Sequence, residues 1–285
     1  MSSPRADQAA GLRRLVGRRA ARTFSVFGAA PRVTARVLAT LVAALAERGE
    51  RVTVIDEHQG EHGVAGALGC ATRRDLAQIL SGDANLGETL LSPVPGVRIL
   101  PAARAARLTA EATAAQVRAT AKLLHELALG CDLVIVHAAR MAGRPASGAA
   151  LSAQRRVLCI GADAGGITAG YRLLKDLAAC GGRGEVRALM AGGTSAKLAR
   201  AAFANLRALA ADRLGMRLDW LAWVGAAALS HPFTLDAPHS PPPWQELVGA
   251  LAAPSQPDSL AHDVPGPAHL PRAASRSQRI TQAEI

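Results

Sequence analysis

Two stretches of the chain, "DLVIVHAA" (132–139) and "RRVLCIGA" (155–162), are apolar at almost every position. A strand with one wet face alternates apolar and polar residues, whereas a continuously apolar strand has to be covered on both faces. Similar runs at 23–28, 51–56, 97–100, 186–191 and 219–224, with 132–137 and 156–161 inside the two quoted segments, predict seven strands. Helical periodicity falls between them, at 33–48, 73–81, 112–129, 167–180 and 196–214. Covered strands alternating with helices predict a doubly wound α/β fold with a mostly parallel sheet. No internal repeat interrupts the pattern.

The ends read differently. From Pro232 onward the chain turns rich in Pro and Ser, broken by one short helical candidate, "WQELVGALAA". Past about residue 253 there is too little apolar surface to offset ordering entropy, so disorder is expected over 253–285. At the front, Ser3-Pro4 can start a short helix on which Leu12, Leu15 and Val16 share a face. This divides the chain into an arm over 1–22, an α/β domain over 23–252 and a tail.

The formal charge of +11 is concentrated early: residues 1–36 hold Arg5, Arg13, Arg14, Arg18, Arg19, Arg22, Arg32 and Arg36 against Asp7 alone. Such an arm fits an acidic partner surface or anionic lipid. No aromatic-interleaved basic face or DNA-reading motif accompanies it, so direct nucleic-acid binding is not expected. The four cysteines show no C-x-x-C pair and read as reduced thiols of a cytosolic protein. No signal peptide or membrane-length run is visible, and a soluble cytoplasmic protein is expected.

The segment 26–56, "VFGAAPRVTARVLATLVAALAERGERVTVID", is laid out as strand, turn, helix and strand. That is where a phosphate-binding loop would sit, with converging backbone N–H groups, permissive glycines and a lysine. Here the turn reads Gly28, Ala29, Ala30, Pro31, Arg32, Val33, Thr34. Pro31 has no N–H, Val33 resists positive φ, and no lysine is present. The residues themselves argue against tight nucleoside triphosphate binding.

The surrounding frame nonetheless resembles a known family. "TLVAALAERGERVTVIDEHQG" (40–60) is similar to the helix and second strand of the MinD/ParA-type ATPases, whose phosphate loop reads GKGGVGKT. Laid on this chain without a gap, the family's first lysine falls on Ala29. Its next three glycines fall on Ala30, Pro31 and Val33, its second lysine on Thr34 and its Mg²⁺-binding threonine on Ala35. Only the leading glycine is kept, as Gly28. "DLAQILSGDANLGETL", "GVRILPA", "CDLVIVHAA", "GGITAGYRLLKDLA", "VRALMAGGTSAKLARAAFANL" and "RLGMRLDWLAWVG" follow in the family's order. Ile167, Thr168, Tyr171 and Lys175 match a run typical of the flagellar branch, FlhG (also called FleN). The resemblance spans roughly residues 5–250.

By that resemblance, Asp56 keeps the first acid of a D-x-D pair while His58 takes the second position. His137 stands where the Walker B aspartate belongs, and Ala191 where an asparagine reads adenine. ATP and Mg²⁺ are the family's ligands; with phosphate, metal and base contacts all altered, a pseudo-ATPase without cofactor is implied. ATP-sandwiched dimers are usual in the family and are not expected here without the lysines. The front segment, "DQAAGLRRL", matches the branch's D-Q-A-x-x-L-R at Asp7, Gln8, Ala9, Leu12 and Arg13. In the family this segment stimulates FlhF, a GTPase of the signal-recognition-particle type. The resemblance makes Gln8 the operative group, with Asp7 and Arg13 positioning it and Leu12 and Leu15 as anchors in a groove.

Further partners implied are flagellar switch or transcription-regulator proteins and an intact paralogue as heterodimer partner, with recruitment to membrane or pole through them. Two alternatives stay open: a weakly active ATPase using Arg32, and a MinD-like partner-binding protein of another surface system such as cellulose secretion. A metal site at His58, His62 and Cys70 has suitable residue types but sits in a loop holding two glycines, and a solvated loop is the reading taken. "WQELVGALAA" lacks basic residues and "LPRAASRSQRITQAEI" lacks an apolar face, so a C-terminal membrane helix is not expected.

Overall fold

The computed structural model describes residues 21–108, 114–139, 146–180, 185–230 and 242–252. The seven strands read from the sequence are present: β1 (Arg22–Gly28), β2 (Val52–Asp56), β3 (Val97–Pro101), β4 (Leu133–Ala138), β5 (Arg155–Gly161), β6 (Val186–Ala191) and β7 (Leu218–Val224). They form one sheet in the order β3-β2-β4-β1-β5-β6-β7, and every pairing is parallel. The helices are α1 (Pro31–Glu47), α2 (Val64–Ala67), α3 (Leu76–Ser81), α4 (Leu86–Thr89), α5 (Ala103–Leu108), α6 (Ala114–Leu129), α7 (Gly148–Ser152), α8 (Ala164–Ala179), α9 (Ala196–Leu214), α10 (Ala226–Ser230) and α11 (Pro242–Ala252).

The continuous apolar runs are explained by two cores. Along β4, Leu133 and Ile135 enter a layer with α1, α2 and α11, while Val134 and Val136 enter the opposite layer with α6, α8 and α9. Along β5, Val157 and Cys159 face the first layer, Leu158 and Ile160 the second. Successive residues point to opposite sides, so a sheet sandwiched by helices needs apolar groups at both parities. The candidate at "WQELVGALAA" is helical: Trp244, Leu247, Val248 and Leu251, spaced i, i+3, i+4, i+7, are buried against the first layer.

Helix starts differ from the periodic reading because a first-turn proline and caps, not apolar spacing, set them. α1 begins at Pro31, two residues earlier than expected, with proline in its first turn. α8 begins at Ala164 because Asp163 accepts from the Gly166 N–H at 2.7 Å. α3 begins at Leu76, where Asp75 and Gln78 form a capping box. The short helices α2, α4, α5, α7 and α10 carry too few residues to show a period and were not expected.

β7 is not the regular strand that its apolar run suggests. Ala188 pairs with Trp220 but Leu189 with Ala222, so Leu221 is an extra residue in a bulge. The bulge brings Trp220 and Trp223 to the same face, where both pack on the second core. Trp220 meets Phe203 edge-on at 5.3 Å, with the Arg200 guanidinium 4.4 Å over its ring.

Two glycines let α8 lie directly on the end of β5: a Cβ on Gly166 would stand 2.4 Å from the Gly161 Cα and 2.5 Å from its carbonyl oxygen. Both obstacles are backbone, so nothing flexible can give way. Gly166→Ala is expected to destabilise the fold by about 1–3 kcal/mol, read as a lower urea midpoint. An unchanged midpoint would mean that helix and strand part without strain.

Candidate functional site

The order of the strands fixes where a site can form. β1 lies between β4 and β5, and its following helix, α1, packs in the first layer, while α7 after β4 packs in the second. Adjacent strands whose connections leave on opposite sides open a crevice at their carboxyl ends. Gly28, Asp56 and His137 all lie there, with Asp56 opposite His137 and Val26 opposite His137 in the register.

The turn after β1 is short. Only Ala29 and Ala30 separate the strand from α1. No side chain caps the helix, and Pro31 contributes no N–H. Thr34 is fully buried and folds back, its Oγ1 donating to the Ala30 carbonyl at 3.1 Å. A Cβ on Gly28 would lie 1.9 Å from that Oγ1, so the threonine hydroxyl occupies the space above the glycine. Arg32 points to solvent and pairs with Glu61 at 2.8 Å. Cys159, beneath the turn, is a fully buried thiol that burial pushes up to about 11.

Deeper in the crevice, consecutive acids at the end of β2 point to opposite sides and do different work. The Asp56 carboxylate accepts from three N–H groups: His137 Nδ1 at 2.9 Å, the Ala65 amide at 3.1 Å and the His58 amide at 3.4 Å. His137 and Asp56 are 0% and 1% exposed, a depth at which a carboxylate needs such donors. Gly63 closes over the same group, since a Cβ there would stand 2.7 Å from Asp56 Oδ2. The His58 ring lies 4.2 Å from that of His137 and donates from Nε2 to the Ala138 carbonyl at 3.2 Å. Burial, then the neighbouring His137, lowers the His58 pKa to about 4.

Glu57 turns the other way and ties down the connection after β4. Its carboxyl accepts from the Ala139 amide at 2.9 Å and is hydrogen-bonded to the Ser147 hydroxyl. Ser147 in turn caps α7 through the Ala150 amide. Loss of solvent around this carboxyl raises its pKa to about 7, against the pull of its two hydrogen bonds.

No protein-family model matches the chain. It is 28% identical over 185 residues to the antiactivator FleN of Pseudomonas aeruginosa, a match covering 65% of this chain and 66% of FleN, a little under two thirds of that relative's length. The solved MinD of Aquifex aeolicus, in its complex with MinC, superposes with a TM-score of 0.56 at 16% identity, covering 81% of this chain and 94% of MinD. An McdA variant from Cyanothece, solved as its ATP complex, gives 0.57 at 15% identity, covering 83% and 98%.

The chain has the MinD/ParA fold.

On this MinD/ParA fold, the expected site residues separate into three groups. Asp56, His58 and His137 come together; Gly28, Ala29, Pro31, Arg32 and Thr34 form the neighbouring turn; Ala191 ends β6, buried. Beyond Ala191, the Trp223 indole donates to the Gly192 carbonyl at 2.9 Å. Asp7, Gln8, Ala9, Leu12, Arg13 and Leu15 lie outside the described residues, as does the tail. Among the described residues no cluster of three or more His, Cys, Asp or Glu can hold a metal ion, and none of their helices is long and apolar enough to cross a membrane.

Sequence reasoning missed Ser147 and the separate role of Glu57. The signal for Ser147 was faint, a lone N-cap before "GAALS". For Glu57 it was the parity rule: an acid next to Asp56 has to face the other side of the sheet.

Proposed function

We propose that this MinD-like chain is a flagellar regulator that acts by docking rather than by hydrolysing ATP. It binds an FlhF-type GTPase and stimulates it through Gln8, with Asp7 and Arg13 holding that residue in place and Ala9, Leu12 and Leu15 seating the segment. A glutamine amide can orient the attacking water beside a γ-phosphate. The similarity to FleN supports the flagellar setting, and the match of the 7–15 segment supports the partner.

The observation that carries the noncatalytic half is the filled turn. A magnesium-bound triphosphate asks for a cradle of amides, a lysine and acids left open to the metal. Here Thr34 sits over Gly28, Pro31 removes an amide, and Asp56 is already held by His137. The residues present do not fit that ligand. At the base end, Ala191 offers no polar side chain, and the Gly192 carbonyl is taken by Trp223.

The test is GTP turnover by the FlhF-type GTPase of the same cell, with and without this protein and its Gln8→Ala variant. Stimulation of tenfold or more is expected, lost in the variant. Absence of stimulation by the wild-type chain would sink the activator reading. Calorimetric titration with ATP and Mg²⁺, expected to show no heat of binding, tests the other half separately.

A further inference from the structure

We infer that His137 is a built-in donor that takes the place of a cation at Asp56, and so keeps the connections after β2 and β4 tied together without any ligand. The inference rests on the noncatalytic reading of the site and adds what replaces the lost chemistry.

Asp56 sets the requirement. A carboxylate at 1% exposure needs either a cation or several N–H donors. This one has three, and each comes from a different place: its own loop two residues on, the start of α2, and the neighbouring strand. Two are backbone amides, which any sequence with this trace would supply. The third is a side chain, and β4 delivers it in register, His137 standing directly opposite Asp56.

The ring's orientation follows from the same bond. Nδ1 carries the proton toward Asp56, and Nε2 has no partner among the described residues. His137 is therefore used for one donor only. The resemblance places an aspartate there; two facing carboxylates at this depth would repel unless a divalent cation or a proton sat between them.

The bond reaches beyond the pair. From Asp56, contacts run to His58 and Ala65, the two ends of the connection into α2. From the other strand, the His137 carbonyl accepts from the Glu57 amide at 3.1 Å, Ala138 from His58, and Ala139 donates to Glu57. The two connections are laced across β2 and β4 with His137 at the crossing. The His58 ring, tilted 33° to that of His137 at 4.2 Å, covers the pair.

The test uses two isosteric replacements in the full-length protein. In His137→Asn the side-chain amide can present an N–H close to where Nδ1 now stands; in His137→Asp an oxygen of the same reach faces Asp56 instead. The readouts are Tm at neutral pH and hydrogen exchange at the Ala65 amide. If His137 serves as the donor, His137→Asn keeps Tm within a few degrees and Ala65 protected. His137→Asp should lose about 10 °C or more, should exchange at Ala65 at least tenfold faster, and should regain part of both losses in millimolar MgCl₂, which leaves the wild type unmoved. Failure of His137→Asp to fold while His137→Asn folds supports the same conclusion.

Equal stability of the two variants, whether both intact or both impaired, would overturn it: the ring would then matter for its volume or not at all. ATP binding by the wild type would instead strike the noncatalytic reading and leave the contrast between the two variants to be judged on its own.

Discussion

Truncating Trp244 to alanine should lower stability by about 3–5 kcal/mol. Trp244 is 1% exposed and is among the largest fully buried side chains of the protein. In a chain with only 3% aromatic residues, few other side chains could fill the same volume. With Leu247, Val248 and Leu251 it fastens α11 onto the first core, beside α1 and β7. The end of that helix is also held by Arg22, which donates to the Leu251 carbonyl at 3.3 Å and pairs with Glu50 at 2.9 Å. The cavity would therefore open under a helix anchored at its far end, which limits collapse and favours the upper part of the range. Chemical denaturation of Trp244→Ala beside Trp244→Phe checks this. A loss below about 1 kcal/mol for the alanine variant would mean that α11 contributes little to the folded state.

The second large effect concerns pH. Glu57 has its pKa raised from 4.5 to about 7, so the folded state holds a proton that the unfolded state has released. Its contribution is fully present below pH 4.5 and is lost as pH rises through 7, by about 3 kcal/mol in all. His58 works in the opposite sense. Its pKa falls from 6.5 to about 4, so the unfolded chain takes up the proton first. That contribution is fully present above pH 6.5 and is lost as pH falls through 4, by a similar amount.

The two windows overlap almost completely, and between about pH 4.5 and 6.5 the slopes oppose each other. Stability of the wild type should be nearly flat there as far as this cluster decides it. Glu57→Gln removes one slope: its amide can donate to Ser147 and its carbonyl can accept from Ala139, as the protonated acid does. The variant should match the wild type near pH 4.5, gain with pH up to 6.5, and stand about 3 kcal/mol above it at pH 8. Urea titrations across this range decide the matter. Parallel curves for the two proteins would show that Glu57 does not hold its proton in the fold.

Much of this architecture can be read from the amino acids. The seven strands followed from apolar runs, several of them apolar at both parities, and α11 from the helical candidate at "WQELVGALAA". What could not be read was set by strand pairing and by caps, which apolar spacing does not report. The bulge at Leu221 depends on how β6 pairs with β7. The start of α8 at Ala164 depends on the Asp163 cap, four residues ahead of the periodic pattern at 167–180.

At the site, the sequence shows that Gly28 is followed by Ala29, Ala30 and Pro31, and that a histidine stands at position 137. It does not show that this histidine meets Asp56, because a resemblance aligns each position with a relative and not with its neighbour across the sheet. Nor does it show that Thr34 folds back over Gly28, which depends on α1 starting as early as Pro31.

The short turn after β1 has a consequence for anyone wishing to re-engineer this chain. Mutating Ala29 and Thr34 to lysine would add charge without adding room, because two residues cannot span the arc that several must describe. An arc of that kind would require unwinding the first turn of α1 and freeing the space now held by Thr34. The change would be one of backbone path as well as of chemistry, beyond the reach of single substitutions.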